Sequence, residues 1–487
     1  MNRIDAAAAL APRYDLVVIG AGPAGQSAAI TAAALGITTL VVDENLAPGG
    51  QIHRGITTTP VTDRAVLGED YWRGLPIAER FLASGADYAP AAKLFSLLPS
   101  GDEPGRHAEI ELGVSIAGQA RPVFAGQVIV ATGAMERPFP IPGWTLPGVL
   151  TAGAAQIALK AHGLVPEGRV VLAGTGPLLL LVAAQLRAAG ATIAAVLDTT
   201  PSANRAGAAR HLLDFLRSPY LAKGLALLAR ARGGPRRIAG VTAMRAEGED
   251  RLRAVTFTAG GGEQRIEADV LLLHQGVVPN TTISNAIGCD HHWDPLQFCW
   301  VPKRDSWLAS SIEDVAIAGD GGGIAGADCA AESGTLAAIG AAHRLGRIDQ
   351  ATRDAMAAPV RAALEKLGRG RAFLDALYRP AEGFRIPAGN DTIICRCEEI
   401  TAGQVRDAVA GGATGPNQLK AFLRCGMGPC QGRLCNLTVT EIVAAERGIS
   451  PEQAGTYRLR PPFKPVTVAE IASLPQTNAA VKAVVRY

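Results

Sequence analysis

One segment near the start of the chain limits the possible folds more than any other. An apolar run, Tyr14–Gly20, leads into the loop Gly20-Ala-Gly22-Pro-Ala-Gly25 and then into an alanine-rich stretch. A second apolar run, Thr38–Val42, ends at Asp43-Glu44. This order predicts a complete strand–helix–strand unit of the dinucleotide-binding type, because a glycine-rich turn alone would need neither the helix nor the second strand.

The glycine loop has the geometry that a pyrophosphate requires. We expect Gly20 to permit the tight turn, Gly22 to let the backbone approach the phosphates, and Gly25 to let the helix pack closely on the strand. The N–H groups at the start of the helix then face the phosphates. The acid at the end of the second strand is expected to accept from ribose hydroxyls, and Asp43 is better placed for this than Glu44. The predicted nucleotide-binding residues of this unit are Gly20, Gly22, Pro23, Ala24, Gly25, Asp43 and Glu44.

Three later segments favour FAD as the nucleotide. Gly49-Gly50-Gln51 follows the second strand, Gln127–Gly133 predicts a strand that ends in an Ala-Thr-Gly turn, and Val315–Asp320 predicts another that ends in Gly-Asp. In this order and spacing the segments resemble the flavoproteins with two dinucleotide-binding domains, from about residue 14 to 345. The resemblance implies that the Asp of the last segment reaches the flavin side of the pyrophosphate. It adds Gly50, Gln51, Thr132, Gly133, Gly319 and Asp320 to the expected cofactor-binding residues.

A second, altered unit follows. Arg169–Gly174 predicts a strand, and Gly174-Thr-Gly176-Pro-Leu-Leu179 resembles the glycine loop of the inserted pyridine-nucleotide domain in the same flavoproteins. Leu179 replaces the third glycine, and Asp198 would repel a 2′-phosphate. A domain that keeps the fold without binding NAD(P)H is therefore favoured, and an NAD(P)H site remains the alternative. No Cys precedes Cys289, which excludes the redox Cys-x-x-Cys pair of disulfide reductases; Cys289, Cys299 and Cys329 are expected to be buried apolar residues.

Five of the eight cysteines lie close together near the C-terminus. Cys395-Arg-Cys397, then 27 residues, then Cys425-x4-Cys430 supply two pairs of thiolates, which suit an iron–sulfur cluster or zinc. The pattern resembles the bacterioferritin-associated ferredoxin, a small helical [2Fe–2S] domain. We expect two short helices between the pairs, the first capped by Thr401. The predicted metal ligands are Cys395, Cys397, Cys425 and Cys430, and Cys435 exceeds the needs of a four-ligand site.

The chain has 487 residues, 48% of them apolar, which is enough for two or three domains. The predicted fold class is α/β: a two-dinucleotide-binding-domain flavoprotein with a small helical [2Fe–2S] domain. The expected bounds are 1–150 with 281–345 for a split FAD domain, 151–280 for the second Rossmann-like domain, 346–384 for a helical linker, 385–450 for the [2Fe–2S] domain and 451–487 for an extended C-terminal tail.

Charge and hydropathy exclude other classes. The net charge is +3 without extensive Lys/Arg clustering, which gives no reason to expect nucleic acid as a partner. Leu16–Val42 carries no charge, but its glycines indicate the strand–turn–helix–strand unit rather than a membrane span. Met1–Pro12 lacks the features of a secretory signal, so we expect a cytoplasmic protein without an integral membrane segment.

Nearly the whole chain resembles the A subunit of bacterial opine (octopine/nopaline) oxidases, with the α subunit of hydroxyproline and proline dehydrogenases and the B subunit of hydrogen cyanide synthase as relatives. The resemblance implies an electron-transfer subunit of an opine or secondary-amine dehydrogenase. In that family a partner FAD subunit, similar to glycine and D-amino-acid oxidases, oxidises the C–N bond, and the opine is cleaved to an amino acid and a keto acid. Electrons would pass through flavin, often an FMN between the subunits, and [2Fe–2S] to an external acceptor.

Several points stay open from the sequence. Related α subunits use the N-terminal pocket for different adenine nucleotides, so NAD or ATP competes with FAD there, and a small third subunit is neither required nor excluded. No catalytic residues for an amine are evident; His53 and Arg54 are expected in a solvent-facing loop. The alternative functions are a stand-alone NAD(P)H-dependent flavin/iron–sulfur reductase and a non-redox scaffold that keeps nucleotide and zinc for structure.

Overall fold

The computed structural model describes residues 1–99, 109–231 and 234–475. Its largest sheet has eight strands and is built around Arg13–Ile19, which pairs in parallel with Thr39–Val42 on one side and Gln119–Val130 on the other. Val315–Ile317 pairs in parallel with the end of the long strand, so sequence-distant segments share one sheet. The remaining strands of this sheet are Asn2–Arg3, Asp87–Ala89, Lys93–Leu98 and Ile110–Ile116.

The centre of this sheet is apolar on both faces. Leu16, Val17 and Val18 are completely buried, as expected for a central strand of a parallel sheet. The helix Pro23–Ala34 begins with proline directly after Gly22, a position where the missing N–H has no partner to lose. Its short alanine side chains allow close packing on the long helix Ala327–Arg344. The start of the first helix therefore lies at the carboxyl edge of the central strands, where nucleotides bind in such sheets.

A second, five-stranded parallel sheet forms the other Rossmann-like layer. Its spatial order is Arg236–Ala239, Thr192–Asp198, Arg169–Thr175, Val270–Gln275 and Val149–Thr151. The helices Ala152–His162 and Pro177–Ala188 pack on it through an apolar core. A three-stranded antiparallel sheet covers the other face and consists of Ala243–Glu247, Ala254–Ala259 and Gly262–Glu267. The antiparallel pair Ala134–Glu136 and Val277–Pro279 joins the two Rossmann-like parts where the chain crosses between them.

Shorter elements connect these layers. One group, Arg64–Leu67, Glu69–Trp72 and Gly74–Leu82, follows the second strand of the first sheet. The other short helices are Ala7–Ala9, Asn204–Ala209, Leu212–Leu216, Pro219–Ala231, Thr282–Ala286, Gly319–Gly322 and Glu382–Phe384, and a two-stranded hairpin is formed by His291–Asp294 and Cys299–Pro302. Within the described ranges, no helix is both long and apolar enough to cross a membrane.

The C-terminal part begins with two helices, Gln350–Gly368 and Arg371–Leu377, in the region expected to link the domains. A small domain follows with the strands Ile393–Cys395 and Ile400–Thr401 and the helices Ala402–Ala410, Pro416–Leu423 and Asn436–Arg447. Thr401 caps the first of these helices by a reciprocal pair of hydrogen bonds with Gln404, as the sequence predicts.

The tail after this domain returns to the first sheet. Phe463 is buried in the core of that sheet, and its N–H donates to the carbonyl oxygen of Phe95 at 2.8 Å. The tail differs from the expected extended chain, because capping boxes at Ser450 and Thr467 start the short helices Pro451–Ala454 and Val468–Ala472. Residues 476–487 of the predicted tail lie outside the described residues.

Candidate functional site

The first glycine loop is closed by contacts that only glycine permits. Gly20 has φ +104°, and a Cβ there would lie 2.6 Å from the carbonyl oxygen of Ala131. A Cβ on Gly25 would lie 1.8 Å from the carbonyl oxygen of Gly20, because the helix packs directly on the loop. The tight turn and the close helix–strand contact expected from the sequence are thus both present.

A cavity of about 550 Å³ opens beside this loop. This volume lies in the range of sites that bury cofactors and ligands. Eleven of the predicted cofactor-binding residues line the cavity, although they come from four separate parts of the sequence: Gly20, Gly22, Pro23, Ala24, Asp43, Gly50, Gln51, Thr132, Gly133, Gly319 and Asp320.

Two of the predicted residues, Gly25 and Glu44, do not line the cavity. Gly25 is buried between its helix and the first strand, so its role is in packing. Glu44 points outward after the strand ends, and its Oε1 forms an ion pair with Nζ of Lys464 at 2.8 Å. The structure therefore places Asp43, and not its neighbour, in the lining of the cavity.

Two carboxylates hold the loops around the cavity. Asp43 is buried and accepts hydrogen bonds from the backbone N–H groups of Ala21 at 2.5 Å and Asn45 at 2.7 Å. Burial raises the pKa of Asp43, and these donors oppose that rise only in part. Oδ1 of Asp320 accepts from the N–H groups of Ala325 and Gly326, both at 2.9 Å. Both carboxylates thus hold the backbone of the surrounding loops in place, and both also line the cavity.

A series of hydrogen-bonded, buried polar side chains also lines the cavity, and the sequence gives little indication of it. Nζ of Lys160 donates to the carbonyl oxygen of Ile52 at 2.8 Å and to Oε1 of Gln156 at 2.9 Å. Nε2 of Gln156 donates to Oε1 of Gln185 at 2.8 Å. Lys160 and Gln156 lie on Ala152–His162, a helix of the second Rossmann-like part, which sequence reasoning did not connect to the first site. The signal that could have revealed them is a single lysine in an otherwise alanine-rich helix.

His53 does not face solvent, contrary to expectation. Its side chain is buried, Nδ1 lies 2.9 Å from the carbonyl oxygen of Tyr71, and the ring packs on Gly74. Burial lowers the pKa of His53 to about 4, so the ring is neutral near pH 7. Arg54, its neighbour, lines the cavity and donates from Nη2 to Oε1 of Gln51 at 2.9 Å.

The second glycine loop is less open for a nucleotide than the first. Leu179 is buried in the core between helix and sheet, in place of the third glycine. Asp198, at the strand end where a ribose would bind, accepts from the N–H of Thr200 at 2.9 Å and forms an ion pair with Arg237. Nδ2 of Asn204 donates to the carbonyl oxygens of residues 377 and 379 at 3.0 and 2.8 Å, which brings the linker chain beside this edge.

The cysteines of the small domain converge at one place. The Sγ atoms of Cys395, Cys425 and Cys435 all lie within 4.8 Å of one another, and all three residues are buried. Cys397 contacts the N–H and the sulfur of Cys430 beside them. Cys435, which the sequence pattern leaves as surplus, thus belongs to the same group. In contrast, Cys289, Cys299 and Cys329 are buried elsewhere, as predicted.

Hydrogen-bond donors surround these sulfurs. Thiols of Cys425 and Cys435 and the backbone N–H groups of Glu398 and Gly426 point at Cys395, and they lower the pKa of that thiol strongly. The Tyr457 hydroxyl donates to Sγ of Cys425 at 3.3 Å. Thiolates that accept N–H and O–H donors in a buried pocket are the environment that an iron–sulfur cluster requires, so these residues fit such a group.

A second, smaller cavity lies beside the cysteine loop and shares a lining residue with the large cavity. This cavity of about 40 Å³ lies between the cysteine loop and the first domain, lined by Gly432 and Arg433 on one side and Trp300 on the other. Met135 lines both this space and the large cavity. Met135 thus lies between the large cavity and the small space beside the cysteine loop.

Fold and sites together define a flavoprotein with two Rossmann-like domains and an appended iron–sulfur domain. Residues 14–334 match the family described as "Pyridine nucleotide-disulphide oxidoreductase", and residues 393–445 match the "BFD-like [2Fe-2S] binding domain". These matches confirm the predicted fold class, and they imply a flavin and a [2Fe–2S] cluster.

Relatives that match over most of their length identify the family more specifically. The chain is 50% identical to the A subunit of opine oxidase from Agrobacterium tumefaciens (strain Ach5), over 99% of this chain and 96% of that protein. It is 33% identical to "Hydrogen cyanide synthase subunit HcnB" of Pseudomonas protegens, over 86% and 89% of the two chains. The protein therefore belongs to the family of opine oxidase A subunits, an oxidoreductase family, as the sequence predicts.

A solved structure supports the overall arrangement. L-proline dehydrogenase from P. horikoshii superposes with a TM-score of 0.70, covering 96% of this chain and 80% of that chain. At 17% sequence identity the likeness concerns the fold alone.

Proposed function

We propose that this chain is the electron-transfer subunit of a heteromeric opine or secondary-amine dehydrogenase. One observation carries the proposal: the large cavity shares Met135 with a small cavity that the cysteine loop lines through Gly432 and Arg433. A flavin and a cluster bound at these two places would lie near each other in one chain. A partner FAD subunit similar to glycine and D-amino-acid oxidases would oxidise the C–N bond. Hydrolysis of the resulting imine gives an amino acid and a keto acid, and this chain passes the electrons to an external acceptor.

The residues of the cavity would hold the nucleotide as follows. The backbone of the Gly20–Gly22 turn and the N-terminus of Pro23–Ala34 would bind the pyrophosphate, and the buried carboxylate of Asp43 would accept from a ribose hydroxyl. Thr132, Gly133 and Asp320 would bind toward the flavin end. When bound, FAD supplies the change from two-electron to one-electron transfer. The structural fit supports FAD, and NAD or ATP are the competing occupants that direct analysis of the bound nucleotide distinguishes.

We infer that the cluster is bound by Cys395, Cys397, Cys425 and Cys430. Pairing of Cys397 with Cys430 and of Cys395 with Cys425 supports this set. The position of Cys435 within the buried trio makes it the competing fourth ligand in place of Cys425. The donors around Cys395 hold its thiolate, which is the form that binds iron.

Four parts of the proposal rest on the resemblance to the family: the opine substrates, an FMN, the location and a third subunit. Octopine and nopaline are the opines to test first, because relatives at 50% and 49% identity carry the name opine oxidase. The same resemblance suggests an FMN between the subunits, a cytoplasmic location and a small third subunit.

The competing function is a stand-alone NAD(P)H-dependent reductase. The buried Leu179, in place of the third glycine, and the contact of Asn204 with the linker oppose nucleotide binding at the second loop. They favour the relay function over the reductase.

The experiment separates these functions by the source of electrons. The tagged chain is purified anaerobically from its native host with its co-eluting subunits, and absorbance between about 400 and 500 nm is followed after addition of octopine, nopaline or NADH. The proposal predicts bleaching by an opine only when an amine-oxidising flavoprotein is present and identified. Bleaching by NADH with this chain alone would establish the reductase instead.

A further inference from the structure

A buried lysine lines the large cavity without a carboxylate beside its ammonium group. Lys160 is 3% exposed, lines the cavity and donates only to uncharged acceptors, chiefly the carbonyl oxygen of Ile52 and Oε1 of Gln156. In the described part of the chain no acid forms an ion pair with it. Because an unpaired buried charge is costly, this lysine requires an explanation.

The acids that line the cavity all have other partners. Glu136 is 2.6 Å from Nδ1 of His274 and accepts from the N–H of Gly153. Asp43 and Asp320 accept from backbone N–H groups, and Asp70 pairs with Arg73. No carboxylate of the cavity lining is thus paired directly with Lys160.

The neighbours of Lys160 are arranged to keep its proton in place. Gln156 presents its carbonyl oxygen to the ammonium and donates to Gln185, whose Nε2 donates to the carbonyl oxygen of Leu67 at 2.7 Å. Both glutamine side chains in this series of hydrogen bonds turn their carbonyl oxygen toward the lysine, and hydrogen bonds in such a series polarise one another. The Tyr71 ring centroid lies 5.7 Å from Nζ, which is a further contact that favours a cation.

Burial and the nearby Arg54 act in the opposite direction and lower the pKa of Lys160 to about 7. His53, whose pKa burial lowers to about 4, is neutral near pH 7 and adds no further positive charge. The ammonium is therefore held at a cost that a negative charge in the cavity would recover. Flavin bound in its oxidised form carries no charge on its ring, whereas the two-electron-reduced ring is an anion near neutral pH.

We propose that Lys160 supplies the positive charge that favours the reduced, anionic flavin ring over the oxidised ring in this cavity. This inference rests on the proposed flavin site and adds a residue that raises the reduction potential of the flavin bound there. It also gives the second Rossmann-like domain a role, because Lys160, Gln156 and Gln185 all belong to its helices.

The test compares variants that change the charge at position 160 while keeping a side chain of similar length. Lys160→Met removes the ammonium and keeps the length of the side chain, Lys160→Arg keeps the charge, and Lys366→Met removes an exposed lysine of the linker as the matched control. For each full-length protein, FAD content and the flavin midpoint potential are measured by anaerobic spectroelectrochemistry. We expect Lys160→Met to bind reduced flavin at least tenfold more weakly relative to oxidised flavin, a shift of about 30 mV to lower potential for a two-electron couple.

The outcomes are distinct. We expect Lys160→Arg to recover part of the shift and Lys366→Met to show none. An unchanged potential in flavin-loaded Lys160→Met overturns the inference and leaves the proposed function intact, and an equal loss of affinity for both redox states also overturns it. Absence of flavin from the wild-type protein instead defeats the proposed function. If Lys160→Met does not fold, Gln156→Met must shift the potential in the same direction by a smaller amount, and an unchanged value refutes the role of the lysine.

Discussion

Replacing Tyr457 with Phe removes a single hydroxyl at the cysteine group and leaves the ring in place. The ring must stay, because Gly426 and Gly432 pack on it so closely that a Cβ on either would lie 2.6 or 2.7 Å from a ring atom. The hydroxyl donates to Sγ of Cys425 at 3.3 Å, and burial raises the pKa of Tyr457 well above its usual range, so the phenol keeps its proton. The same hydroxyl accepts a weak hydrogen bond from Sγ of Cys435 at 3.9 Å. The substitution therefore tests the hydrogen bonds of this hydroxyl at nearly constant shape.

The expected change in the reduction potential of the cluster follows from the charge of the cluster. A hydrogen bond to a charged acceptor contributes about 1.5–3 kcal/mol, and it is stronger when the cluster gains an electron. If about 1 kcal/mol of this is specific to the reduced state, Tyr457→Phe lowers the one-electron potential of the cluster by about 40 mV, since about 1.4 kcal/mol corresponds to about 59 mV.

The assay is an EPR-monitored redox titration of the full-length protein. Tyr378→Phe, on the linker and away from the cysteines, serves as the control and should leave the potential unchanged. An unchanged or raised potential in Tyr457→Phe would refute the argument that this hydroxyl stabilises the reduced cluster.

Three further predictions concern the two sites and the tail. Gly25→Ala places a Cβ 1.8 Å from a backbone oxygen, so we expect a destabilisation of about 1–3 kcal/mol and loss of bound nucleotide, measured by thermal unfolding and by nucleotide content after purification. Cys425→Ala should abolish the visible cluster absorbance and Cys435→Ala should retain it; the reverse result would assign Cys435 as the ligand. Glu470→Gln weakens the hydrogen bonds from Ser115 and Lys93. We expect it to lower the free energy of unfolding by about 1 kcal/mol at pH 7, measured by denaturant unfolding. Because these partners lower the pKa of Glu470 from 4.5 to about 2, its contribution is present above pH 4.5 and is lost as the pH falls toward 2, so the difference between variant and wild type should shrink over that interval.

The sequence predicts most of the first site because its signals are local. Each segment carries its own strand and turn pattern, so Gly20, Gly133 and Asp320 could be assigned before their meeting in one cavity was known. The order of these segments is typical of one fold, which then specifies their contacts. The family matches confirm that fold.

The remaining features depend on contacts between distant segments. Lys160 is one residue in an alanine-rich helix, and its role appears only when that helix packs beside Ile52. Likewise the position of Cys435 depends on how the loop after Cys430 folds back, and Tyr457 comes from a tail beyond the expected domain. His53 was expected in solvent because glycine-rich loops are usually exposed, whereas the helices from Arg64 to Leu82 cover it.

The most direct measurement of the central claim is the redox state of the cluster when an amine is oxidised. The complex, purified anaerobically with its identified partner flavoprotein, is mixed with octopine or nopaline and frozen at intervals for EPR. We expect the signal of a reduced [2Fe–2S] cluster to appear as the opine is consumed, and to be absent when the cluster cysteines are replaced. A cluster that stays oxidised while the opine is consumed, or one that NADH reduces in this chain alone, would contradict it.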